Sequence, residues 1–133
     1  MARIDFAHPC QLAFLDDCGR LCLIGVITRL PVPALPLEVA QLMMAARIVD
    51  IEPGETIDIS LTMTTPSGQP AIEGSGDVAE IDFAGEFVFI KLHGFPLTEE
   101  GLYRFALSVG AGDPVTFEVP VFVVRETLQA RLH

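Results

Sequence analysis

Thr56-Ile57-Asp58-Ile59-Ser60-Leu61-Thr62-Met63-Thr64 sets apolar and polar side chains in strict alternation. A period of two puts Ile57, Ile59, Leu61 and Met63 on one face of an extended chain and the hydroxyls with Asp58 on the other, which is the pattern of a half-buried strand. Tyr103, Phe105, Leu107 and Val109 alternate in the same way with Leu102, Arg104, Ala106 and Ser108. Working outward from these two segments, turn signals recur along the chain: Asp17-Cys18-Gly19, Pro53-Gly54, Pro66-Ser67-Gly68, Ala84-Gly85, Glu100-Gly101 and Gly110 to Pro114. Short strands punctuated in this way by glycine and proline predict an all-β, two-layer antiparallel β-sandwich of about eight strands. The strands fall near residues 8–16, 20–30, 40–51, 56–65, 70–81, 86–93, 101–109 and 115–124.

Pro31, Pro33 and Pro36 make the second connection stiff and extended, suited to a crossing between sheets. Pro120 has no N–H for a ladder, so the last strand is expected at an edge or with a bulge there. Glu38 to Arg47 carries a helical spacing at Val39, Leu42, Met43 and Ala46. Strand is favoured because Arg47-Ile48-Val49-Asp50-Ile51 continues it into a Pro-Gly turn, and one helical turn ahead of the strand would reconcile both signals.

The chain has 133 residues, half of them apolar, which excludes a disordered or fibrous polypeptide. That length suits one domain, read as residues 1–124 with a tail at 125–133 in which Leu128 and Leu132 are four apart. Eighteen acidic against eight scattered basic residues give a net charge of −10, which argues against nucleic acid and against an anionic membrane surface. The longest apolar stretch, Leu21 to Ile27, is far too short for a membrane-spanning helix, and the start of the chain does not read as a secretory signal. A cytoplasmic protein is expected. Cys10, Cys18 and Cys22 are odd in number and crowded together, so reduced thiols are expected, and their spacing with His8, His93 and His133 suits no metal site. Nothing calls for a cofactor.

The first hairpin can be set in register by pairing Asp17 with Arg20 across Cys18-Gly19. Leu15 then meets Cys22, Ala13 meets Ile24 and Gln11 meets Val26, with Leu12, Phe14, Leu21, Leu23 and Ile27 on the other face. Both faces are apolar. The bulkier Phe14 face is expected in the core, which leaves Leu15, Cys22, Ile24 and Val26 as a candidate interface needing cover from this chain or another subunit. A homo-oligomer, most simply a dimer, is the expected partner.

Glu99-Glu100-Gly101-Leu102-Tyr103-Arg104-Phe105 resembles the corner of immunoglobulin-like domains, where an acid and a small residue precede a tyrosine by four and two positions. The resemblance implies a Greek-key sandwich with the Tyr103 hydroxyl bonded back near Leu97 or Thr98. Phe105 stands where antibody-type domains carry their second disulfide cysteine, and there is no tryptophan. The wider pattern joins the Leu15-Asp16-Asp17 and Gly19-Arg20-Leu21 hairpin, the Pro-Gly-Glu strand into Pro66-Ser67-Gly68, and the Gly-Leu-Tyr-Arg-Phe corner. It is similar to a family of small bacterial proteins of unknown function over most of residues 8–124, and it implies a fold without an activity.

The rival chemistry is acidic. Glu73, Asp77, Glu80, Asp82 and Glu86 lie close in sequence, and paired carboxylates can serve glycoside cleavage, so Asp77, Glu80 and Asp82 form an alternative site for a small hydrolase or carbohydrate-active domain. A solvated rim is the simpler reading, since the chain has a single tyrosine and no tryptophan for a sugar platform. The same acids lack the ligand spacing of an EF-hand loop. Gly74-Ser75-Gly76 lacks a nucleophile elbow, Cys18 has no histidine, helix N-terminus or lysine recognisably near it to activate it, and His93 stands alone as a strand-end histidine.

Overall fold

The computed structural model describes residues 1–72 and 79–124, with backbone alone at 71, 72 and 79. Ten strands follow in order: β1 (Arg3–Leu15), β2 (Leu21–Val26), β3 (Leu30–Val32), β4 (Leu37–Val49), β5 (Ile59–Thr64), β6 (Pro70–Ile72), β7 (Ala79–Ala84), β8 (Phe87–Leu97), β9 (Gly101–Val109) and β10 (Val115–Val123). They form two five-stranded sheets, β2-β1-β4-β8-β7 and β3-β10-β9-β5-β6. Among the described residues there is no helix, and Leu37–Val49 is one continuous strand. The sequence count of about eight becomes ten because two expected strands are each divided between sheets. Residues 20–30 turn at Ile27 and send Leu30–Val32 to the second sheet, and 70–81 supplies β6 to one sheet and β7 to the other.

Among the described residues all pairings are antiparallel except β3 with β10, where Val121 lies beside Leu30 and Val123 beside Val32. The proline-rich stretch after β3 carries the chain back to the first sheet, as expected. Pro120 is tolerated inside β10 because β3 joins only from Val121 onward, so at Pro120 that side of the strand is unpaired.

Between the sheets lies a core in which Met44, Ile48, Ile90 and Leu92 meet Met63, Tyr103, Phe105 and Leu107. Phe95 and Phe105 stack at 6.1 Å, and Phe105 stacks on Phe117 at 5.1 Å. The alternation at Ile59, Leu61 and Met63 works as read: these face the core, while Ser60 bonds Ser108 across the wet face at 2.7 Å.

The Tyr103 hydroxyl is placed where the corner motif implies. It accepts from the N–H of Thr98 at 2.9 Å and of Glu99 at 3.2 Å. Glu99 also accepts from the Ser67 N–H at 2.6 Å, tying the β5–β6 turn to the same corner.

Candidate functional site

The first sheet is apolar on both sides at its centre, and this shapes the surface around the first hairpin. Along β4, Leu42, Met44, Ala46 and Ile48 join the main core, while Met43 and Ala45 point the other way into a second cluster with Cys10, Ala13 and Phe89. A strand buried on both faces reads as an unbroken apolar run. That is why Leu42-Met43-Met44-Ala45-Ala46 gave no clean alternation and suggested a helix.

The hairpin itself supplies the cover. Its loop has three residues, Asp17, Cys18 and Gly19, rather than two: the Asp16 N–H donates to the Arg20 carbonyl at 2.9 Å and the Gly19 N–H to the Asp16 carbonyl at 3.0 Å. Gly19 takes the left-handed backbone that closes such a loop, φ 76°. The Asp16 carboxylate accepts from the N–H groups of Cys18 and Arg20, both at 2.9 Å, and pairs with Arg20 Nε at 2.7 Å. These bonds, the Arg20 backbone N–H first, hold its carboxyl below the ordinary aspartate range.

One extra loop residue shifts the expected register by one, so that Leu12 pairs with Ile24, Phe14 with Cys22 and Leu15 with Leu21. A one-residue slip exchanges faces. Leu15 therefore parts from Cys22, Ile24 and Val26. It lies with Leu21 and Leu23 against the second cluster of its own sheet. The Phe14 face, expected in the core, is the open one: Leu12, Phe14, Ile24 and Val26 are 42 %, 41 %, 50 % and 49 % exposed, with Cys22 half-buried among them.

The reversal begins at Gly25. Its φ is +64°, and a Cβ there would lie 3.1 Å from the Gln11 Cβ. Opposite it, burial along β1 falls out of phase: Pro9 and Cys10 are both buried, Gln11 and Leu12 both exposed, and Ala13 is buried again. The distal half of the hairpin thus turns its Ala13, Leu15, Leu21 and Leu23 side onto Met43, Ala45 and Phe89. Beside this bend a hollow of about 290 Å³ is lined by Gln11, Gly25, Ile27, Leu30, Val39 and Leu42.

The acidic cluster is not assembled into a site among the described residues. Glu73 and Asp77 lie outside them, as does the Gly74-Ser75-Gly76 segment. Glu80 and Asp82 stand on β7 opposite Lys91 and Phe89. Glu80 Oε2 is 3.5 Å from His93 Nε2, which makes no hydrogen bond to another described residue. Glu86 is held by Arg47 at 2.9 Å, and Arg47 also reaches Asp5 at 3.0 Å. A shallow hollow of about 370 Å³ on the second sheet, beside Thr64, Pro66, Leu102, Arg104 and Glu118, contains none of these acids. Among the described residues no three His, Cys, Asp or Glu side chains converge as metal ligands. No helix there is long and apolar enough to cross a membrane. Cys10 is buried, Cys18 exposed and Cys22 between the two, all as free thiols.

Two facing sheets, a first strand beside β4, a parallel β3–β10 contact and a tyrosine staple at the crossing into β9 define an immunoglobulin-like β-sandwich. The chain belongs to the DUF6941 family, a family of unknown function whose model matches residues 5–122. No curated protein matches it. Among solved structures it is similar to the M1 domain from titin, at 19 % identity over 65 % of this chain and 84 % of that one, with a TM-score of 0.33. It is also similar to a chain of the complex of titin M10 with the obscurin-like 1 immunoglobulin domain, at 14 % identity over 90 % and 96 %, with a TM-score of 0.36.

Proposed function

We propose that this protein is a non-enzymatic interaction module that acts as a homodimer in the bacterial cytoplasm, with the β1–β2 hairpin as its contact surface. The observation that carries this reading is the row of Leu12, Phe14, Ile24 and Val26, four large apolar side chains open to solvent beside an edge strand. Contiguous apolar side chains on a soluble domain mark association surfaces. A second copy is the occupant that suits them: β2 contains no charged residue, so two chains of net charge −10 can meet along it without setting carboxylates side by side. Three free thiols fit a reducing compartment, and the bacterial setting rests on the resemblance of the turn motifs.

Analytical ultracentrifugation of the full chain tests the reading. Sedimentation at twice the chain mass, returning to the monomer on Ile24→Asp, is the expected result. A clean monomer at micromolar concentration, unchanged by that substitution, would remove it.

A further inference from the structure

Among the described residues the two sheets end at four edge strands, and three of them carry features that obstruct further pairing. β3 has three residues with Pro31 at its centre, β6 has three and begins with Pro70, and β7 carries Glu80 and Asp82. β2 is different. Its six residues, Leu21-Cys22-Leu23-Ile24-Gly25-Val26, include no charge and no proline.

The geometry also fixes which residues face the open side. The bond from the Asp16 N–H to the Arg20 carbonyl closes the hairpin. Hydrogen-bonded and non-bonded pairs alternate along an antiparallel ladder. Counting from the closing pair, Phe14–Cys22 and Leu12–Ile24 are bonded, and Leu21 and Leu23 turn their N–H and C=O groups to the edge.

Charge selects a direction. Asp17 precedes β2 and Arg29 follows it, each six residues from Leu23 and each exposed, and neither forms an ion pair with another described residue. An antiparallel neighbour centred on Leu23 brings the Asp17 end of each strand to the partner's Arg29 end. A parallel neighbour brings like charge to like. Complementary ends of this kind set register more than they add affinity.

We infer that two copies pair antiparallel along β2 about a two-fold axis at Leu23, joining their first sheets into one continuous sheet. This rests on the homodimer reading and specifies its contact. Leu23 then bonds the partner's Leu23, Leu21 lies opposite the partner's Gly25, and Cys22 opposite the partner's Ile24. The Cys22–Ile24 positions form a non-hydrogen-bonded pair, where cross-strand Cα atoms come to about 4.5 Å, within the reach of a disulfide. The two Cys22 residues are offset along the strands and lie beyond that reach.

Disulfide trapping in a Cys18→Ser background, which removes the exposed turn thiol, reads this register directly. Oxidised Cys18→Ser/Ile24→Cys should run as a dimer on a non-reducing gel and return to monomer with dithiothreitol, while Cys18→Ser alone stays monomeric, as does Cys18→Ser/Cys22→Ser/Phe14→Cys, in which the thiol opposite residue 14 in the same hairpin is removed. Cross-linking through Phe14→Cys in the Cys18→Ser/Cys22→Ser background but not through Ile24→Cys, in a protein that sediments as a dimer, overturns edge pairing and leaves the homodimer standing. A monomer in sedimentation with no cross-link overturns both. Hydrogen exchange on the unmodified chain checks the result without any variant. The Leu21 and Leu23 amides should exchange about tenfold or more slowly at dimer-forming concentration than on dilution, and equal rates in a sedimenting dimer overturn the pairing.

Discussion

The Tyr103 hydroxyl accepts a hydrogen bond from the Thr98 N–H at 2.9 Å and donates one to the Glu99 carbonyl at 3.2 Å. One buried side chain thereby closes the turn by which the chain leaves β8 in the first sheet and enters β9 in the second. Tyr103→Phe keeps the ring against Phe95 and strands these backbone groups. It should cost about 1–3 kcal/mol, the usual penalty for a buried donor that loses its partner. Urea denaturation followed by circular dichroism measures it, and a change below the scatter of replicate curves would show that the hydroxyl staples nothing.

Met43 has its side chain in the cluster under the hairpin, on the side of β4 away from the main core. If that cluster is a true interior, Met43→Ala should destabilise the chain by about 2–5 kcal/mol, as truncation of a buried methionine does. A surface position would give about 0.5 kcal/mol or less. The two ranges do not overlap, so one denaturation series decides between them.

Asp16 predicts a dependence on pH. Its folded pKa lies below the unfolded value, so it stabilises the fold fully above the ordinary aspartate range of about 3.9 and loses that contribution as pH falls through the lower folded value. Asp16→Asn should therefore be less stable than the parent near neutrality, with the gap closing as the solution is acidified. Thermal midpoints of both proteins across that range give the comparison, and a gap that stayed constant into acid would count against the ionised turn.

Thiol labelling should follow position in the hairpin. Cys18 sits exposed in the loop, whereas Cys10 is buried and burial pushes its thiol pKa upward. A chromogenic disulfide reagent should modify Cys18 first in the native protein and reach Cys10 only on unfolding. Mass mapping of the labelled peptides identifies each site, and early labelling of Cys10 would show that the second cluster opens readily.

The half-buried strands were legible because each keeps one wet face, so that Ile59, Leu61 and Met63 alternate with hydroxyls and Tyr103 announces its corner through Glu99 and Gly101. β4 was harder, since apolar cover on both sides erases the alternation that identifies a strand. The hairpin register failed on a single residue. Asp16 and Gly19 are the first and fourth residues of a turn in which aspartate and glycine are favoured at those positions, a signal that points to the three-residue loop. Reading a two-residue loop instead placed Leu15 with Ile24 and Val26. The division of 70–81 between sheets left no mark in hydropathy, because both pieces favour extended backbone.

The sandwich is also lopsided. Its second sheet shows Ser60, Thr62, Thr116 and Glu118 to water with Leu102 and Phe122 among them, whereas its first is covered by its own opening ribbon and finishes there in the contiguous row of Leu12, Phe14, Ile24 and Val26. Wetting favours only one orientation at any crowded boundary: the hydroxylated flank turned toward solvent, the oily flank turned toward whatever neighbour is present. A domain with that bias needs no dedicated signal to choose which way round it sits.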